Sequence, residues 1–416
     1  MTLFFHKLHS CVTMTLRTMM LPAMLLMLGS CGLINDPDTP DDDKGDISIK
    51  FRVSTIASIG NHGNTRADDK KHDEVPSSIP QIEDMINTED FAFYIFFGAE
   101  DNAKLIYSCS DFSKPGSASI NGSLGFYDIN VLLTNKEIRE YFGDNQDPDS
   151  PVKFRIITLA NTKVITNGKF PSESMTGLTY SEIINKAKEL TFSIDKNIYN
   201  PDGGNITDKV KAYLPMFGMN VFTTTLGRLL EARFENPIHL GDIDMLRAVS
   251  KVRLIDNITR IEGTQYPRIT SAEFALDRSN GYVLPDQYES YINGNQVHTA
   301  RLTNAETTPS RIPFILNDGN QKEVEYFTYC PEQTISGDTG RPAFYITIAY
   351  DDNVANNKTY EVSMTGYQGT AFDWSGDYLL RNHIYTLRVD GLTLDRELIL
   401  TVCPRADFTT DVPTFE

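Results

Sequence analysis

The stretch Ile47-Ser48-Ile49-Lys50-Phe51-Arg52-Val53 carries an apolar side chain at every second position and a polar one at each position between. Successive side chains of a strand point to opposite faces, so the run reads as a half-buried β-strand. Further along, Phe91-Ala92-Phe93-Tyr94-Ile95-Phe96-Phe97 is apolar throughout and reads as a strand covered on both faces. Strand-type runs continue at 104–107, 123–132, 152–159, 191–194, 249–256, 268–276, 324–329, 344–350, 359–364, 383–389 and 398–402. Turn chemistry separates them, as in Pro201-Asp202-Gly203-Gly204, Asn317-Asp318-Gly319-Asn320 and Asp351-Asp352-Asn353. Many short strands with such spacing predict β-sandwiches rather than alternating βα units. Helix is expected only in pockets: a turn or two at 82–86, and short amphipathic helices at 135–142 and 181–190. In the last of these Ser181 reads as the N-cap, with Ile183, Ile184, Ala187 and Leu190 on one face. The segment 215–236 is ambiguous, and a second set of strands starts at about Ile238.

The chain has 416 residues, too many for one small core, so two domains are expected. The division is placed at 47–220 and 221–416. With 56 acidic against 38 basic residues the net charge is −18, which repels phosphate backbones and argues against nucleic acid as a partner. Beyond Cys31 only Cys109, Cys330 and Cys403 follow, an odd number that makes no disulfide framework and leaves room for one bridge at most.

The N-terminus points to export. Lys7 and Arg17 supply positive charge ahead of the apolar run Met19 to Leu28, which is much shorter than the roughly 20 residues a spanning helix needs. The run ends Leu28-Gly29-Ser30-Cys31, a leucine and two small residues before a cysteine. Residues 1–30 are therefore expected to be a lipoprotein signal peptide, with Met14 as an alternative start to Met1, and Cys31 the lipidated residue. Residues 31–46, rich in aspartate and proline, offer only Leu33 and Ile34 to bury and are expected to be a solvated tether. Their spacing does not match a calcium loop.

No catalytic motif stands out. His-Glu-x-x-His, P-loop and Gly-x-Ser-x-Gly patterns are missing, and Gly122-Ser123-Leu124-Gly125 lacks the spacing of a serine elbow. His62, His72, His239, His298 and His383 lie at no metal-ligand spacing; His383, in a strand-like run, is expected to be packed or paired. No enzyme, metal or cofactor is expected. Trp374, the single tryptophan, sits in Phe372-Asp373-Trp374-Ser375-Gly376-Asp377-Tyr378, where it either anchors a loop or stacks on sugar rings.

Three further stretches carry a resemblance. They are Leu214-Pro215-Met216-Phe217-Gly218-Met219, then Met245-Leu246-Arg247-Ala248-Val249-Ser250-Lys251-Val252-Arg253-Leu254, then Leu379-Leu380-Arg381-Asn382-His383-Ile384-Tyr385-Thr386-Leu387. In this order and behind a lipobox, they resemble the fimbrillin family of Bacteroidetes, the lipoprotein-derived major and minor fimbrial subunits. The resemblance implies an all-β chain with minor helices, built as two tandem transthyretin-like β-sandwich domains. It implies transport to the outer membrane on the lipid of Cys31, then a cut by an arginine-specific surface protease in the loop after the first strand. The removable strand would be that of Ile47, Ile49, Phe51 and Val53. The glycine-rich polar stretch Gly60-Asn61-His62-Gly63-Asn64-Thr65-Arg66-Ala67-Asp68-Asp69 follows it, and the cut is expected between Arg66 and Ala67, with Lys70 and Lys71 as alternatives. A strand of another fimbrial subunit would fill the vacated groove by β-strand addition. On this chain Leu398, Leu400 and Val402 alternate as a donor should, and they equally suit a last core strand. The tail beyond them is interrupted by Pro404 and Pro413, which cannot donate to a ladder.

Two other readings stand beside this one. An outer-membrane-anchored lipoprotein that binds a glycan or another host or bacterial surface ligand without polymerising would keep residues 47–66 and expose Trp374. An extracellular hydrolase would show a pocket of converging carboxylates.

Overall fold

The strand of Phe91–Phe97 is buried at every position, because both of its faces are covered. On one face Phe93 meets Phe51 of another layer edge-on, ring centres 5.4 Å apart. On the other, Phe96 packs edge-on against Tyr180 of a helix. This layering runs through the chain. The computed structural model describes residues 46–55, 83, 85–113, 118–123, 125–134, 138, 141–142, 147–162, 177–194, 213–292, 299–317, 324–335, 341–367, 378–403 and 406–407. Asp46–Glu416 form one compact unit.

The first sandwich is built from β1 (Ile47–Ser54), β2 (Phe91–Phe97), β3 (Lys104–Cys109), β4 (Ser119–Ser123), β5 (Phe126–Leu133), β6 (Pro151–Ala160), β7 (Thr191–Ser193), β8 (Met216–Thr225) and β9 (Ile238–Arg247). Its strand order is β3-β2-β6-β8-β9-β1-β5-β4, with β7 outside this path. β9 joins the two layers: Met245–Arg247 pair with Met216–Gly218 of β8, while the earlier part, from Ile238 to Asp244, runs parallel to β1. The crossing is tight. A Cβ on Gly218 would lie 2.6 Å from Thr158 Oγ1 and 2.7 Å from Met245 Sδ, so only glycine fits there.

The second sandwich holds β10 (Ser250–Asp256), β11 (Arg268–Leu276), β12 (Asn280–Tyr282), β13 (Ser310–Pro313), β14 (Ile315–Asn317), β15 (Val324–Cys330), β16 (Gln333–Thr334), β17 (Ala343–Ala349), β18 (Lys358–Ser363), β19 (Tyr378–Leu379), β20 (His383–Leu392), β21 (Leu398–Val402) and β22 (Ala406–Asp407). One sheet runs β14-β15-β10-β20-β21, with β22 also on β20; the other runs β13-β11-β17-β18. The two sandwiches repeat a plan. β1 lies between β5, antiparallel, and β9, parallel; β10 lies between β15, antiparallel, and β20, parallel.

Two expectations need correction. Residues 220 and 221 both fall inside β8, and β9 pairs with β8 and β1, so the strand at Ile238 continues the first set of strands and does not open a second. The run at Ile238 looked like a new start because its partner, β1, is far away in sequence. The helix expected from Ser181 is Tyr180–Lys188, capped by Thr179 and not by Ser181. Thr179 accepts from the Glu182 amide and the Glu182 carboxylate accepts back from the Thr179 amide, a reciprocal capping box. The ambiguous segment resolves into β8 followed by a helix over Leu226–Glu231.

Candidate functional site

β1 sits in the middle of its layer, hydrogen-bonded on both sides. Ile49, Phe51 and Val53 are fully buried and Ile47 is 1 % exposed. Fully burying four such side chains is worth roughly 6–12 kcal/mol at about 1.5–3 kcal/mol each. That is comparable with the whole stability of a typical domain, about 5–15 kcal/mol, so a first sandwich without β1 cannot persist with its groove empty.

The outward face of β1 is charged. Arg52 stands in register with Asp128 of β5 on one side and Asp242 of β9 on the other. Its Nε donates to Asp128 Oδ1 at 2.9 Å, and Lys50 Nζ lies 2.9 Å from Asp128 Oδ2. The hydrogen bond from Arg52, helped by Lys50, holds the Asp128 carboxyl below the usual carboxylate range. Asp244, two residues beyond Asp242, is pushed up to about 6 by desolvation first and by Asp242 second.

The C-terminal end of β1 is pinned. The Thr55 amide donates to Gly125 O at 2.9 Å, and the Thr55 carbonyl accepts from Arg247 NH2 at 3.0 Å. Arg247 is fully buried. It also donates from Nε to Glu83 O at 2.9 Å and from NH1 to Asn382 Oδ1 at 3.3 Å. Glu83 in turn meets Lys251 Nζ at 2.8 Å and accepts from the Tyr329 hydroxyl at 2.7 Å. Burial first, and the Glu83 charge second, push the Tyr329 hydroxyl far up. Lys251 also lies 3.7 Å from Glu325, which Arg253 Nε contacts at 2.8 Å. Buried charges persist only when paired, and this network satisfies them at the seam between the sandwiches. The three motifs quoted from the sequence converge here: Pro215 O accepts from the Ala248 amide, Arg247 and Lys251 supply the cations, and Asn382 comes from the last motif. Beside it Arg381 holds Glu332 Oε2 at 2.9 Å, and His383 Nδ1 lies 2.6 Å from Arg381 O.

The expected donor residues lie at an edge. Leu398 and Leu400 are half-buried and Val402 is buried, in β21, which among the described residues pairs with β20 alone. Ile399 between them is 48 % exposed. Cys31, Arg66, Ala67 and Trp374 lie outside the described residues. Of the described cysteines, Cys109 and Cys330 are buried and Cys403 is half-exposed. A cavity of about 500 Å³ opens beside the helix Tyr180–Lys188, lined by Asp101, Asp286, Glu289 and Lys188 among others. Asp101 and Asp286 there are each paired with an arginine, Arg155 and Arg301, which suits structural carboxylates better than a catalytic pair.

Sequence reasoning found the inward residues of β1 but missed Glu83, Asp128 and Asp242. The signal for Asp128 was present, since it is the outward residue between Tyr127 and Ile129. Nothing local in the sequence marks Glu83 as a seam residue.

No protein-family model and no curated protein matches this sequence. Among solved structures the chain is similar to the tip fimbrial protein Mfa3 from Porphyromonas gingivalis with a C-terminal truncation, at 14% identity and a TM-score of 0.47, over 86% of this chain and 99% of that one. It is also similar to a fimbrial assembly protein from Parabacteroides distasonis, at 11% identity and a TM-score of 0.40, over 86% of this chain and 98% of that one.

Proposed function

We propose that this chain is a cell-surface fimbrial subunit of the fimbrillin type. It is exported as a lipoprotein on Cys31, trimmed by an arginine-specific protease between Arg66 and Ala67, and joined to its neighbours by a partner strand that replaces β1. The assembled fimbrium supports adhesion to a host or bacterial surface ligand.

One observation carries the reading: the first strand of the folded unit is central in its sheet and buried on its inner face. A single cut after β1 severs its only covalent link to the rest of the sandwich. A strand lost from the middle of a sheet exposes two unpaired ladders and an apolar trough, a template for another chain's strand. The pinning of Thr55 by Arg247 keeps β1 seated until the cut, which protects the exported monomer from premature pairing. An edge strand such as β21 is the kind of element that can leave its own sheet without breaking a layer, which suits it to donation. Head-to-tail exchange of this kind does not close on itself and yields filaments.

The test is the intact mass and N-terminal sequence of the chain recovered from cells, before and after an arginine-specific protease, with size-exclusion chromatography on both. A chain starting at Ala67, with large species only after cutting and in the presence of the other surface subunits from the same cells, is the expected result. A chain that still starts at a lipidated Cys31 and stays monomeric after protease would overturn the proposal.

A further inference from the structure

The groove of β1 is apolar inside and acidic outside, and the second property sets what can enter it. We infer that the groove selects its replacement strand by charge: the strand must carry a cation at the position of Arg52, and it comes from a different subunit, not from β21 of another copy of this chain. The inference rests on the strand-replacement reading above.

Neighbouring strands lie about 4.8 Å apart, so Asp128 and Asp242, one on each side of Arg52 in register, face the same outward position of any strand in the groove. Asp128 takes both Arg52 and Lys50, and Asp242 adds to the field that holds the Arg52 charge. When β1 leaves, both cations leave with it, and the two carboxylates remain on the walls. A neutral or acidic side chain at that position restores the inner packing yet leaves them unpaired, whereas opposite charges across strands stabilise and like charges oppose.

β21 fails this requirement by parity. Seating Leu398, Leu400 and Val402 inward turns Glu397, Ile399 and Thr401 outward, toward the two aspartates. The nearest cation, Arg396, falls on the inward parity. Pro404 then ends the ladder one residue past Cys403. A strand with apolar residues at four alternate positions, as in β1, and a lysine or arginine between the second pair fits both faces. A partner of that sequence places this chain next to a subunit of another kind.

The experiment uses the full mature chain with a specific protease site introduced at residue 66, cut in solution, and labelled peptides followed by fluorescence anisotropy. The peptides are residues 46–55, the same peptide with Lys50→Glu and Arg52→Glu, and residues 396–403. The native peptide is expected to exchange in, and the charge-reversed one to bind weaker on the order of tenfold, with the gap closing as salt rises. The peptide of 396–403 is expected to bind as weakly as the charge-reversed one. An acceptor carrying Asp128→Lys is expected to reverse the preference, and the salt series on the unaltered acceptor decides the matter if that variant does not fold. Equal binding of the native and charge-reversed peptides at all salt concentrations would overturn the charge rule and leave strand replacement standing. Tight binding of 396–403 would overturn the assignment to a different subunit. Entry of no peptide at all would overturn strand replacement, and this inference with it.

Discussion

Replacing Phe51 with alanine isolates what β1 contributes before any cut. Phe51 is fully buried and its ring meets Phe93 of the opposite layer at 5.4 Å and 73°. Truncating a buried phenylalanine to alanine costs about 3–5 kcal/mol, from lost transfer energy and the cavity left behind. Little collapse is available here, because β5 and β9 hold the backbone of β1 in register on both sides. The upper half of that range is therefore expected. Leu400→Ala supplies the contrast, since that side chain is half-buried on an edge strand and its truncation should cost about 1 kcal/mol. Urea unfolding of the uncut mature chain, followed by far-UV circular dichroism, measures both. A loss below about 1 kcal/mol for Phe51→Ala, on the scale of an ordinary surface substitution, or a larger loss for Leu400→Ala, would refute the view that β1 is a core strand and β21 a loosely held one.

Arg247→Met should destabilise by about 3 kcal/mol, because it removes three buried hydrogen bonds, to the backbone carbonyls of Thr55 and Glu83 and to the side-chain oxygen of Asn382; thermal melts check this, and a loss under about 1 kcal/mol would contradict the pinning role. Asp244 has a folded-state carboxyl raised to about 6, so the folded chain binds more protons than the unfolded one between about pH 4 and 6, and this group's contribution to stability falls as pH rises through that window. Asp244→Asn removes the fall: the variant should match the parent below pH 4 and exceed it at pH 7 by about 1 kcal/mol after solvent screening, and superimposable melting-temperature profiles would contradict this. Burial raises the Cys330 thiol to about 12, so alkylation of the native chain at pH 8 should label Cys403 and spare Cys330; peptide mass spectrometry showing the reverse order would count against the packing described.

The fold was legible wherever the hydrophobic period was unambiguous. The alternation at Ile47–Ser54 and the continuous run at Phe91–Phe97 marked strands within a residue of their ends, and the runs at Arg268–Leu276 and Leu398–Val402 did so at both ends. β8 was not legible, because Gly218, Asn220 and three consecutive threonines break its alternation, and its glycine is there for a close approach of chains that only the tertiary structure creates. β9 was visible as a strand but assigned to the wrong sandwich, since parallel pairing with β1 leaves no local trace. Thr179 and Ser181 are both capping residues, and Glu182 three positions after Thr179 was the signal that separates them. For the site, the inner face of β1 followed from its period, while the aspartates on its walls and the seam at Glu83 depend on register between strands distant in sequence.

The central claim, that β1 must leave before subunits join, is tested most directly by locking it in place. Ser48 and Leu132 are register partners on the faces of β1 and β5 opposite Ile47, Ile49 and Val131, so Ser48→Cys with Leu132→Cys, in a Cys403→Ser background, would tie the strand to its neighbour without altering the apolar side chains of its inner face. After protease treatment of the loop that follows β1, the oxidised chain should remain monomeric by size-exclusion chromatography and the reduced chain should assemble with its partner subunit. Equal assembly of both forms would contradict the account.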